Sequence, residues 1–91
     1  MYNALYSDEL NKKLEKLKKR EKVRFEAALK KIKEIQQNPE HYKPLRHDLK
    51  NLRRVHIDKS FVLIFKIEDS IIKFLDLDHH DKIYKKRFEV S

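Results

Sequence analysis

Three short runs of β-branched and aromatic residues lie close together in the second half of the chain, between His47 and His80. They read VHI, FVLIF and IIKFL, and polar breaks at 58–60 and 68–70 separate them. Such runs, divided by short polar breaks, are typical of antiparallel strands joined by tight turns. The stretch therefore predicts a three-strand meander, and the rest of the chain must pack around it.

The first strand of this meander alternates in polarity over residues 52–58. Val55 and Ile57 are apolar, whereas Arg54 and His56 are basic. Because successive side chains of a strand point to opposite faces, Arg54 and His56 are expected on one face, opposite the core. Basic groups on the exposed face of a sheet predict an anionic ligand.

The first half of the chain carries two apolar stripes at helical spacing. The first stripe follows Ser7, a favourable N-cap residue, and the second ends at Asn38, which precedes a proline. A single helix over 8–37 would be about 45 Å long, whereas a domain of this size has a radius of gyration of about 12 Å. We therefore expect a break in the polar run 18–22, which would produce an α-hairpin.

These elements, with a short first strand at 2–6, predict one domain over residues 1–91. The expected fold class is α+β, with a four-stranded, mainly antiparallel sheet and the N-terminal α-hairpin packed on one face. The residues after His80 are expected to form one last helical turn or a tail.

The charge of the chain narrows its partners. It has 23 Lys and Arg against 15 Asp and Glu, a net charge of +8, which favours nucleic acid, an acidic protein or an anionic membrane as partner. It has no cysteine, which excludes disulfides, thiolate metal sites and a thiol nucleophile. No run approaches the roughly 18 apolar residues of a membrane span, and the N-terminus lacks the apolar core of a signal peptide, so a cytoplasmic location without a membrane partner is expected.

The segments KPLRHDLKNLRRVHI, FVLIF and HHDKIY, in this order after the α-hairpin, resemble the RelE/ParE toxin superfamily of toxin–antitoxin systems. The resemblance covers essentially the whole chain and is closest to the RelE, YoeB and YafQ-like branch. It implies a β-α-α-β-β-β fold and cleavage of messenger RNA in the A site of the ribosome. It also implies a RelB-like antitoxin as partner, with an acidic segment that covers the charged face.

The resemblance also assigns residues. It implies catalytic roles for His56, His80 and Tyr84, and it places Arg53 and Arg54 where relatives carry strand lysines. Many relatives have an arginine in the third strand, where this chain has Val62, so Arg54 or Arg46 would have to stabilise the cleaved phosphate. Six further basic residues are expected to bind RNA, namely Lys43, Arg46, Arg53, His79, Lys85 and Lys86.

RNA can be cleaved without metal when its own 2′-hydroxyl attacks the adjacent phosphorus, which requires a base, an acid and cations. Histidine suits both proton-transfer roles because its ordinary pKa is about 6.5, and the sequence leaves open which histidine is the acid. Asp76 and Asp78 share strand parity with His80 and are expected to orient it. Because His79 and His80 would point to opposite faces, we expect no metal site, and we expect no small-molecule cofactor.

Other interpretations of the same residues are open at this stage. His56 can be a solvated surface histidine, and Tyr84 can pack beside Phe88 in the core. A ParE-like inhibitor of DNA gyrase would have the same fold without nuclease chemistry, and a basic nucleic-acid-binding module would have no activity. Cleavage of messenger RNA on programmed ribosomes separates these functions.

Overall fold

The computed structural model of the chain describes residues 2–42 and 52–85. The described elements are β1 (Asn3–Tyr6), α1 (Asp8–Arg20), α2 (Lys22–Gln37), a 3₁₀ turn (Pro39–His41), β2 (Leu52–His56), β3 (Phe61–Glu68), β4 (Ile71–His79) and α3 (His80–Lys85). The strands form one sheet in the order β1-β4-β3-β2. β1 is parallel to β4 and the other pairs are antiparallel, so the predicted fold is confirmed.

The α-hairpin begins and bends where the sequence predicts. The Ser7 side chain accepts a hydrogen bond from the Leu10 amide at 3.0 Å and donates one to the Leu75 carbonyl in β4 at 2.6 Å. It therefore caps α1 and also fastens the start of that helix to the sheet. The break between the helices falls at Glu21, whose φ of −140° and ψ of 70° are not helical, within the predicted run 18–22.

The turn between β3 and β4 requires an unusual backbone. Asp69 and Ser70 both have positive φ, 51° and 67°, the region that glycine normally occupies in two-residue hairpins. The chain has no glycine, and aspartate is among the residues that tolerate this region best. This turn sets the register in which Lys66 pairs with Lys73 and Glu68 with Ile71.

The main core lies between the α-hairpin and one face of the sheet. Fully buried Phe65 and Phe74 lie at its centre, in a cluster with Val55 of β2 and Leu10 of α1. None of the helices within 2–42 and 52–85 combines the length and the apolar character needed to cross a membrane.

A second, smaller cluster lies on the opposite face of the sheet. It contains Leu52, Val62 and Ile64, together with Ile83 of α3. Residues 80–85 thus form the expected helical turn, which covers part of the face that the α-hairpin leaves open. Because β4 ends at His79 and α3 begins at His80, the expectation that His80 continues the strand is wrong.

Candidate active site

The two histidines to which the resemblance assigns catalysis lie side by side. His56 is the last residue of β2 and His80 is the first residue of α3. Their ring centroids are 5.9 Å apart and the ring planes differ by 29°. Both residues are exposed, so the pair is accessible to a large ligand.

Arg54 lies on the same face as His56. The two residues pair with Ile64 and Val62 of β3, which belong to the second apolar cluster, whereas Val55 between them faces the main core. The predicted orientation of Arg54 and His56 is therefore confirmed. Val62, which stands where many relatives have an arginine, is fully buried and serves packing.

The position of His80 depends on the turn between β2 and β3. The His80 amide donates to the Ser60 carbonyl at 2.7 Å. Asp58 Oδ1 accepts from the Ser60 and Phe61 amides, each at 2.8 Å, and Arg24 Nε of α2 donates to Asp58 Oδ2 at 2.8 Å. One turn thus joins α2, β2 and the start of α3, and it sets the distance between the two imidazoles.

Asp58 is charged at neutral pH in this arrangement. Partial burial raises its pKa, but the hydrogen bonds from Arg24 and from the amides of Phe61 and Ser60 outweigh the burial. The pKa of Asp58 therefore lies below its ordinary value, and the ion pair with Arg24 is present throughout the neutral range.

A cleft of about 320 Å³ lies beside His80. It contains two lysines, Lys59 from the β2–β3 turn and Lys82 from α3, together with Ser60, His79, His80 and Asp81. Lys59 and Lys82 are not among the residues predicted from the sequence to bind RNA. Both lysines could have been predicted from their short distance along the chain to His56 and His80. Residues in the same turn or in the first turn of the same helix lie close together in space.

The carboxylates of Asp76 and Asp78 do not have the arrangement that strand parity suggested. Lys13 Nζ of α1 lies 2.7 Å from Asp76 Oδ1 and 2.9 Å from Asp78 Oδ2. The carboxylate beside the His80 ring is that of Asp81, 3.3 Å from Nδ1, and it is largely exposed. The parity argument fails because the chain turns into α3 at His80.

The residues predicted to bind RNA separate into three groups. His79 is exposed at the end of β4, and its ring centroid is 4.4 Å from that of Phe61. The Arg53 guanidinium donates a hydrogen bond to the Tyr42 carbonyl. Leu52 and Arg54, the residues next to Arg53 in β2, lie on the opposite face of the sheet. Lys43, Arg46 and Lys86 lie outside the described residues, and so do the side chains of Tyr84 and Lys85, whose backbone belongs to α3. The roles of all these residues stay predictions.

No group of three or more His, Asp or Glu side chains within 2–42 and 52–85 is arranged to hold a metal ion. The described site consists instead of two imidazoles, Arg54 and the lysines of the cleft. Such a set can transfer protons and attract phosphate without a metal.

Known proteins resemble this chain both in sequence and in structure. Residues 4–84 match the family described as "ParE toxin of type II toxin-antitoxin system, parDE". A Methanocaldococcus jannaschii protein named "Putative toxin RelE4" is 53% identical over 89 residues, which are 96% of this chain and 95% of that protein. The solved YoeB/ParE toxin from Agrobacterium tumefaciens has a TM-score of 0.76 at 12% identity, over 86% of this chain and 98% of that chain.

A further solved structure contains a bound partner. A chain of the heterotetrameric YoeB-YefM toxin-antitoxin complex from Staphylococcus aureus has a TM-score of 0.75 at 16% identity, over 88% of this chain and 98% of that chain. At such low identities the solved structures show a shared fold, whereas the match over residues 4–84 and the Methanocaldococcus jannaschii relative show the family. The chain therefore belongs to the ParE toxin family of type II toxin–antitoxin systems, within the RelE/ParE superfamily.

Proposed function

We propose that this toxin is an endoribonuclease that cleaves messenger RNA on the ribosome without a metal ion. The observation that carries the proposal is the pair of exposed imidazoles, His56 and His80, with ring centroids 5.9 Å apart. These rings are close enough for one phosphodiester to contact both of them. The substrate implies that the toxin acts in the cytoplasm.

The reaction needs no group beyond the chain and the RNA. One histidine removes the proton of the 2′-hydroxyl, and the 2′-oxygen then forms a bond to the adjacent phosphorus. The bond from phosphorus to the 5′-oxygen breaks, and the other histidine donates a proton to this leaving oxygen. The products are a 2′,3′-cyclic phosphate and a 5′-hydroxyl. Arg54 and the nearby lysines stabilise the charge on the phosphorane.

The test is cleavage of messenger RNA on programmed ribosomes by the purified toxin. The expected products end in 2′,3′-cyclic phosphate, and a chelator should not reduce cleavage beyond its effect on the ribosome itself. Intact messenger RNA at toxin concentrations that saturate the ribosomes would overturn the proposal.

A second candidate function has one observation in its favour, since the family that matches residues 4–84 is named for ParE. A ParE-like toxin would inhibit DNA gyrase by binding, without nuclease chemistry. Gyrase supercoiling assays with the same toxin preparation distinguish the two, because the nuclease should leave supercoiling unchanged.

We also propose a RelB-like antitoxin as the neutralising partner. The toxin's net charge of +8 favours an acidic segment, and a related fold is found bound to its antitoxin in the S. aureus complex. An antitoxin that covers the His56–His80 pair would block RNA and hold the toxin with the same contacts.

RNA affinity is expected to fall steeply as the salt concentration rises. Each phosphate that a cation neutralises on a single strand contributes about −0.7 to the slope of log K against log salt. Lys82→Ala should therefore make the slope shallower by about 0.7. Lys18→Ala is the matched control, because this exposed lysine of α1 lies outside the cleft that contains Lys82. Equal slopes for the two variants would exclude Lys82 as a phosphate contact.

A further inference from the structure

A second cleft shares His79 and Lys82 with the cleft beside His80. It lies between α1 and the end of β4, and its volume is about 300 Å³, at the lower end of the range for small-molecule sites. Leu17, Phe61 and Leu77 supply its apolar surface. Apart from Lys82, which lines both clefts, the cleavage reaction described above uses no residue of this second cleft.

The acidic side chains of this second cleft are already paired. Glu21 Oε1 accepts a hydrogen bond from Arg24 Nη1 at 2.6 Å. Asp78 Oδ2 accepts one from Lys13 Nζ at 2.9 Å. Asp78 also interacts electrostatically with Lys82, so the two carboxylates offset only part of the positive charge that lines the cleft.

Three further cations line the cleft. Lys16 and Arg20 lie on α1, one turn apart, and Lys82 lies on α3. Within 2–42 and 52–85, no carboxylate is within salt-bridge distance of any of the three. A concave, partly apolar surface with three such cations favours an anionic ligand that also has an apolar part.

His79 supplies a flat surface at the boundary between the two clefts. Its ring packs against Phe61, with centroids 4.4 Å apart and planes inclined by 56°. The Arg24 guanidinium lies 3.9 Å from the centroid of the Phe61 ring, and Asp58 holds that guanidinium in turn. The His79 ring is therefore supported from behind while the residue is exposed, an arrangement suited to stacking of a nucleobase.

We infer that this second cleft binds the nucleotide next to the cleaved phosphate, with its base on His79 and its phosphate among Lys16, Arg20 and Lys82. The inference rests on the proposed function, since the ligand is the same RNA strand. The shared residues His79 and Lys82 make the two clefts continuous, so a strand whose phosphate lies at His56 and His80 can extend into the second cleft.

The first experiment measures binding without cleavage and without ribosomes. A short single-stranded RNA with 2′-O-methyl groups, which block 2′-oxygen attack, is titrated with the purified toxin at low salt, and fluorescence anisotropy is recorded. Lys16→Ala/Arg20→Ala should weaken binding by at least about fivefold more than Lys12→Ala/Lys19→Ala, in line with the salt-dependent loss of two phosphate contacts. The control removes the same charge from exposed positions of α1 that line neither cleft. Equal losses in the two variants would overturn the inference.

The second experiment tests stacking on His79. His79→Ala should weaken binding of the same RNA by about fivefold or more, whereas His79→Phe, which keeps an aromatic face, should bind within about twofold of the unaltered toxin. Placing abasic nucleotides along the RNA one at a time should locate a single position at which His79→Ala no longer matters. If His79→Phe loses as much as His79→Ala, or if no such position exists, the ring is not a stacking surface.

The nucleotide site in the second cleft and the nuclease function can each fail without the other. A toxin that cleaves messenger RNA through His80 but shows equal losses for the two double variants lacks the second nucleotide site and keeps the nuclease function. A toxin that binds RNA through Lys16, Arg20 and His79 but never cleaves it keeps the site and loses the nuclease function. If Lys16→Ala/Arg20→Ala weakens binding of the antitoxin but not binding of RNA, the cleft binds an acidic protein segment, and the inference is wrong.

Discussion

Replacing His80 with alanine is expected to slow single-turnover cleavage of messenger RNA on ribosomes by about 10²–10⁴. The reason is that the variant loses one of the two groups that transfer protons in the transition state. RNA binding should change little, because the cations supply most of the affinity. The fold should survive, since the His80 side chain is 46% exposed and exposed substitutions usually change stability by about 0.5 kcal/mol or less.

The matched control for this experiment is His41→Ala. His41 is also an exposed histidine, but it belongs to the 3₁₀ turn after α2 and packs edge-on against Tyr42. This variant should cleave at the unaltered rate. A folded His80→Ala protein that binds RNA normally and cleaves as fast as His41→Ala would exclude the two-histidine mechanism.

The two histidines should also act as a unit. His56→Ala alone should give a loss of the same order, about 10²–10⁴. The double variant His56→Ala/His80→Ala should be about as slow as the slower single variant, because residues that serve one transition state have strongly non-additive effects. Losses that multiply in the double variant would mean that the two rings act in separate steps.

Replacing Lys13 with methionine is expected to destabilise the fold by about 2–3 kcal/mol, since the buried Asp76 carboxylate would lose a positively charged partner. Asp76, which Lys13 contacts at 2.7 Å, is only 1% exposed. The loss should be smaller than for a fully buried ion pair because the Lys13 side chain is 25% exposed. The melting temperature should fall by roughly 10–20 °C for a domain of this length.

Two further variants test the origin of this loss. Lys12→Met removes the neighbouring exposed lysine and should change stability by about 0.5 kcal/mol or less. Lys13→Met/Asp76→Asn should be more stable than Lys13→Met alone, because the buried charge has been removed together with its partner. An unchanged melting temperature in Lys13→Met would mean that water solvates Asp76 well enough without the lysine.

The effect of Lys13→Met should depend on pH in a defined direction. Partial burial raises the pKa of Asp78. The hydrogen bonds from Lys13 and the His79 amide, together with the charges of Lys13 and Lys82, lower this pKa by more than burial raises it. The pKa of Asp78 therefore lies below its ordinary value. A carboxylate with a lowered pKa stabilises the fold above its unfolded pKa of about 3.9, and this stability is lost as the pH falls through the folded pKa. The gap in melting temperature between the unaltered protein and Lys13→Met should therefore narrow from about pH 6 towards about pH 3.

Local patterns predicted the elements of the fold well. Ser7 as N-cap, the break at Glu21 and the polar turns 58–60 and 68–70 all depend on residues within a few positions of one another. The exposed face of β2, which carries Arg54 and His56, could also be predicted locally, because side chains alternate between the two faces along a strand. Periodicity is a sufficient guide to such features.

The end of β4 was predicted less well. The run DLDHHD alternates as a strand does, and nothing in it marks the change from strand to helix between His79 and His80. That change depends on two contacts made elsewhere in the fold. The His80 amide bonds to Ser60 in another turn, and Ile83 packs on the second apolar cluster. Alternation alone therefore misassigned the partners of Asp76 and Asp78.

Apart from the change from strand to helix at His80, the sequence by itself determined which segments become helices and strands and which face of β2 is basic, because these properties follow from local periodicity. Only the tertiary structure decided which side chains meet. His56 and His80 become neighbours because the β2–β3 turn, held by Asp58 and Arg24, fixes the start of α3. Lys13 reaches Asp76 because β1 ends at Tyr6, opposite Phe74, so that α1 covers the rest of that edge of β4. Such contacts join distant parts of the chain, and their geometry depends on strand register and helix placement, which no local pattern encodes.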